Sequence, residues 1–85
     1  MSITLKFFAS VREKLGVGEE RLELPADVAT VGALRAMLVR RGGVWEEALG
    51  GERALRMACN QVMCNESTPL ASGAEVAFFP PVTGG

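Results

Sequence analysis

The chain has 85 residues, nine basic and ten acidic side chains, and apolar residues at 48% of its positions, the composition of one small globular domain. Its near-zero charge offers no basic stripe for nucleic acid, no window approaches the roughly 18 charge-free apolar residues of a membrane span, and Lys6 interrupts the opening apolar run where a secretory signal would be continuous. Histidine is absent, which removes Ser-His and Cys-His pairs and most metal sites; the expectation is a cytoplasmic protein with no nucleic-acid or membrane partner, no metal and no self-contained catalytic site.

Residues 3–9, "ITLKFFA", alternate. Ile3, Leu5 and Phe7 fall on one face and Thr4, Lys6 and Phe8 on the other, which is strand periodicity. Ser10 and Glu13 have the spacing of a capping box for a short helix that Gly16 would close. "ERLEL" (20–24) alternates again and Pro25 ends it. Thr30 stands as N-cap to the main helix, "VGALRAMLVRR". Val31, Leu34 and Leu38 make its apolar stripe with Ala33 and Met37 alongside, Arg40 and Arg41 suit the dipole of its last turn, and Gly42–Gly43 stops it. "VWEEALGGE" reads as a connection with one helical turn. "LRMACN" and "VMC" flank Asn60–Gln61, a two-residue hairpin turn; "STPLASG" is a loop, and residues 74–79 form the last strand.

One main helix covers only one face of such a mixed sheet. The order β, short α, β, α, β, β, β predicts an α+β fold of the β-grasp, ubiquitin-like kind. It has about five strands, with the first and last parallel at the centre. The domain spans 1–80 and a projecting tail spans 81–85.

The last strand runs into "FFPPVTGG". Pro80 and Pro81 cannot donate to a ladder and hold φ near about −65°, so they end the strand and project the remaining residues outward. Val82 and Thr83 give that segment grip. Gly84 and Gly85 lack Cβ and can pass a narrow channel in backbone conformations closed to other residues. The reactive group at the tip is the Gly85 α-carboxylate, ionised at neutral pH and a poor electrophile until a partner activates it. Activation as an acyl-adenylate, then displacement by a thiolate or persulfide, would leave a thioester or a terminal thiocarboxylate.

This ending resembles very closely the C-terminus of the small subunits of molybdopterin synthase, the MoaD-type sulfur carriers. The resemblance extends through "LKFFASVREKLG", "TVGALRAML" and "ACNQ". It implies that an adenylating enzyme related to the ubiquitin-activating enzymes uses ATP on Gly85, and that a persulfide donor converts the adenylate to a thiocarboxylate. It further implies that the tail, Pro80 to Gly85, threads into the large subunit of molybdopterin synthase. There the sulfur passes to a cyclic pyranopterin phosphate, and two rounds build a dithiolene. Two small and two large subunits assemble, the catalytic side chains belong to the large ones, and this chain holds no permanent cofactor. The same ending also serves carriers for thiazole synthesis and tRNA thiolation and modifiers of protein lysines, and a plain interaction module with an inert tail is the reading from another class.

Cys59 and Cys64 depart from that pattern. With a turn at 60–61, Cys59 faces Val62 and Cys64 faces Met57. The thiols are then diagonal neighbours, about 7–8 Å apart at Cα, at or beyond the reach of an unstrained disulfide; they are expected to be small buried hydrophobes. Trp45 is expected as a lid over the helix end, and Lys6, Lys14 and the arginines as solvated charges. Because Leu5 and Phe7 point inward, Phe8 points outward. Phe79 does so beside Phe78, and the central pairing of their strands predicts a partner-binding patch of Phe8 and Phe79.

Overall fold

The opening alternation is realised in β1 (Ser2–Phe7) of a computed structural model that describes residues 1–51 and 54–81. Ile3, Leu5 and Phe7 are buried, and Thr4 and Lys6 lie half-buried on the opposite face. A single extended residue, Phe8, leads into α1 (Ala9–Leu15). Gly16 closes this helix in the left-handed region at φ 77°, its N–H donating to the Arg12 carbonyl. The capping box expected at Ser10 and Glu13 is not formed: Phe8 is the N-cap and no side chain caps the helix. The chain turns too abruptly for it, Ala9 taking φ 51° immediately after the strand.

β2 (Glu19–Glu23) pairs antiparallel with β1, Leu22 opposite Ile3 and Glu20 opposite Leu5. Thr30 caps α2 (Val31–Val39) as expected, its Oγ1 accepting from the Ala33 N–H at 3.2 Å. The helix ends earlier than its arginines suggest. Arg40 is the C-cap and Arg41 lies beyond it. Instead of answering the helix dipole, Arg41 donates to both Glu20 carboxylate oxygens at 2.9 and 2.6 Å and lies over the Trp45 ring, 4.4 Å from its centre. α3 (Val44–Leu49) comes next, then β3 (Arg56–Cys59), β4 (Val62–Cys64) and β5 (Glu75–Phe79). The β3–β4 turn is Asn60–Gln61, at φ 52° and 67°, the two left-handed residues of a tight hairpin.

The five strands lie in the order β2-β1-β5-β3-β4, with β1 and β5 parallel and every other pair antiparallel. This is the predicted β-grasp arrangement. Its inner face meets the helices: Phe7 stacks on Phe78 with 6.1 Å between centroids and meets Trp45 edge-on at 5.6 Å, so Trp45 is a lid on the core itself. Val31, Leu34 and Leu38 of α2 complete it.

Among the described residues one charged side chain joins this layer. Arg35, on α2, is 7% exposed. Its Nε and Nη2 donate at 2.7 Å to the carbonyls of Leu49 and Gly50, and Nη1 reaches Glu66 at 3.1 Å. It thereby ties the end of α3 and the loop before β5 to the main helix. Gly32 lets that loop approach: a Cβ there would stand 2.9 Å from the Glu66 carbonyl oxygen. Among the described residues no helix is long and apolar enough to cross a membrane.

Candidate functional site: the outer sheet face

Successive strand residues point to opposite faces. On β5 that rule sends Val76 and Phe78 inward, both fully buried, and Glu75, Ala77 and Phe79 outward. The register builds a row across the outer face: Lys6, Ala77, Ala58 and Met63 lie side by side on β1, β5, β3 and β4. Phe79 sits one row further along, opposite Arg56. Phe8 extends the β1–β5 ladder, its N–H donating to the Phe78 carbonyl at 3.2 Å, and the residue is 46% exposed.

These positions enclose a groove of about 710 Å³. Ala58 and Ala77 form its floor, Phe8 and Phe79 its walls, and Pro80 and Pro81 the end where the chain leaves the sheet. Glu75 is the one ionisable side chain lining it among the described residues. The other half of the face is charged. Lys6 pairs with Glu19 at 3.0 Å, and the hydrogen bond to that carboxylate, aided by its charge and that of Glu75, raises the Lys6 pKa. At the far edge Glu23 accepts from the Ser2 hydroxyl and the N-terminal ammonium, which hold its carboxyl below the usual range.

The structure thus gathers four of the sequence-derived site residues, Phe8, Phe79, Pro80 and Pro81, around one groove. Val82, Thr83, Gly84 and Gly85 lie outside the described residues. Sequence reasoning missed the floor, Ala58 and Ala77, and also Met63, which is 55% exposed beside them. The information was present: counting out from the Asn60–Gln61 turn sets Met63 on the face opposite Cys64.

Cys59 and Cys64 take the expected register, opposite Val62 and Met57. Both are free thiols, half-buried at the margin of the core, and burial, then the neighbouring Cys59, pushes the Cys64 thiol up. Cys59 pairs with Val76 at the start of β5, remote from Pro80. Among the described residues no group of three His, Cys, Asp or Glu side chains could hold a metal. What the outer face offers is a largely apolar groove that ends at Pro80 and Pro81.

A central parallel pair of first and last strands, with the helices packed on one face of a five-stranded mixed sheet, defines a ubiquitin-like β-grasp protein. The ThiS family model matches residues 5–85, and the chain belongs to that family. It is 46% identical over 83 residues to the molybdopterin synthase sulfur carrier subunit of Escherichia coli, covering 98% of this chain and 99% of that protein. It is 40% identical, with the same coverage, to the subunit of that name from Haemophilus influenzae. Among solved structures, SAMP1 from Haloferax volcanii superposes with a TM-score of 0.81 at 30% identity over the whole of both chains. The complex of subunits 1 and 2 of molybdopterin-converting factor from Helicobacter pylori contains a chain that matches with a TM-score of 0.69 at 27% identity, again over the whole of both chains.

Proposed function

We propose that the protein is the sulfur carrier of a molybdopterin synthase and works in the cytoplasm. The Gly85 carboxylate attacks the α-phosphate of ATP on an adenylating enzyme, releasing pyrophosphate and leaving an acyl-adenylate. Sulfur from a persulfide donor displaces AMP, a thiol takes up the donor's second sulfur as a disulfide, and a terminal thiocarboxylate remains. This tip then enters the large subunit and gives its sulfur to cyclic pyranopterin monophosphate. The assembly holds two small and two large subunits. The observation that carries this reading is the position of Pro80 and Pro81: the tail starts at the end of an apolar groove, so one partner can hold the groove and receive the tip. The names of the curated relatives support the same client.

The test is intact mass after incubation with the adenylating enzyme, ATP and a persulfide donor. The wild-type chain should gain the mass difference between sulfur and oxygen. Deleting Gly85 should leave the melting temperature unchanged and abolish loading. Gly85→Ala should fold normally and transfer poorly, because a Cβ must enter a channel shaped for none. Cofactor synthesis by the deletion variant at the wild-type rate would overturn the carrier role. The likeness to SAMP1 favours a second reading, a modifier joined to protein lysines. It would appear in the same assay, run with cell extract, as an isopeptide-linked product in place of a thiocarboxylate.

A further inference from the structure

We infer that Cys59 and Cys64, with Met57 as third donor, form a binding site for a soft monovalent metal ion, Cu(I). The inference is independent of the carrier reading. In the β3–β4 hairpin Cys59 pairs with Val62 and Met57 with Cys64, and directly paired strand residues share a face. Met57 also lies opposite the inward Phe78, so three sulfur-bearing side chains stand together on the inner side of one hairpin. That side is open at its margin: Val62, on the same face, is 67% exposed, and both cysteines are half-buried free thiols. The absence of histidine removes nitrogen donors from the chain, not these sulfur ones.

The spacing selects the ion. Diagonal neighbours across a ladder are about 7–8 Å apart at Cα, wider than the roughly 6.8 Å that a disulfide tolerates. Two metal–thiolate bonds of about 2.3 Å each let the sulfurs stand up to about 4.6 Å apart, against roughly 2 Å in an S–S bond. An ion therefore bridges a gap that a disulfide does not. Among the described residues no group of three His, Cys, Asp or Glu side chains is available for zinc, whereas thiolate and thioether ligands select Cu(I). Binding releases the two thiol protons to solvent and changes no oxidation state. Met57 and Cys64 line a cavity of about 550 Å³ beside residues 65–67, which gives the ion an entry path. The Thr68 hydroxyl is hydrogen-bonded to Cys64. Its oxygen accepts from the Asn65 N–H at 3.1 Å, which leaves its own hydrogen for the sulfur, and such a partner orients a ligand.

The experiment is anaerobic titration of the full-length chain with Cu(I) against a chromogenic Cu(I) chelator, with native mass spectrometry for the stoichiometry. The wild-type chain should take one ion per monomer. Cys59→Ser and Cys64→Ser, each checked by thermal unfolding, should weaken binding by more than about a hundredfold, beyond the ten- to hundredfold typical when only the partner of a ligand is lost. Thr68→Val should weaken it about tenfold, and Met57→Leu less than either serine does. No binding by the wild-type chain, wild-type affinity in a folded Cys59→Ser variant, one ion shared by two chains, or displacement of Cu(I) by equimolar Zn(II) overturns the site. Should the serine variants fail to fold, the wild-type chain is alkylated with iodoacetamide with and without Cu(I), and the modified cysteines are located by peptide mass mapping. Bound Cu(I) should protect Cys59 and Cys64 together. Alkylation of either thiol at the same rate in both samples overturns the proposal.

Discussion

The dipeptide Phe-Phe occurs twice, at the end of β1 and at the end of β5, and the two faces of the sheet divide each copy between them. Phe7 and Phe78 are 1% and 0% exposed, stacked on one another beneath the helices. Phe8 and Phe79, one residue further along, wall an open groove. Residue type is identical within each pair, so hydrophobicity does not decide the role; the two-residue period of the strand does. The inner face spends its apolar area on folding. The outer face keeps apolar area that a monomer has no use for, beside Pro80 and Pro81, and such patches mark interaction sites.

The sharpest way to break this comparison is to truncate both members of one pair. Phe78→Ala should cost about 3–5 kcal/mol, because a fully buried ring leaves a cavity that its neighbours cannot fill. That is a large share of the roughly 5–15 kcal/mol a small domain holds. Phe79→Ala should change stability by about 1 kcal/mol or less, yet weaken binding to the large subunit about tenfold or more. Urea unfolding and calorimetry on the two variants give the four numbers. Equal losses of stability would show that the outer face belongs to the core after all.

A smaller effect is expected at the polar exception on the inner side. Arg35 satisfies the Leu49 and Gly50 carbonyls with charge-assisted bonds at 2.7 Å. Arg35→Met should cost about 2–3 kcal/mol, since those acceptors stay buried after the donor is gone. Arg35→Lys should recover little, because a point ammonium cannot reproduce the planar fork. A methionine variant as stable as wild type would mean that packing, not hydrogen bonding, fixes α3 against α2.

Arg35 also marks where sequence reading ends. Strand alternation in residues 3–7, Thr30 as a cap, Gly16 as a stop and the Asn60–Gln61 turn are local, and each was legible. So was the central pairing of β1 with β5, because a single main helix leaves few other arrangements. Arg35 sits beside Leu34 in the helix pattern and looks like solvated surface; its burial depends on carbonyls of α3 that only the tertiary fold brings near. The pattern at Ser10 and Glu13 lost to a left-handed Ala9 that no propensity favours. β4 is three residues long, so Met63 is set outward only by counting from the Asn60–Gln61 turn. Alanines carry no chemical signal at all, and Ala58 and Ala77 acquire meaning only from their register.

The smallest expected effect lies at the margin of the inner face, where Glu20, opposite Leu5, meets Arg41. The two hydrogen bonds from the guanidinium hold the Glu20 carboxyl below its ordinary value of 4.5, against the opposing effect of partial burial. A carboxyl depressed in the folded state contributes stability that is fully present above its unfolded pKa and is lost as pH falls through the folded value. Arg41 stays protonated throughout, so Glu20 alone sets the window. Glu20→Gln should therefore lower stability by about 0.5–1 kcal/mol at neutral pH, the upper range for a bidentate pair near the surface. Thermal unfolding of wild type and variant should converge as the pH drops below 4.5. High salt should narrow the gap at neutral pH as well, because the pair is partly solvated and screened. A gap that persists undiminished in acid would assign the contribution to the stacking of Arg41 on Trp45, which needs Glu20 to orient the guanidinium but not its charge.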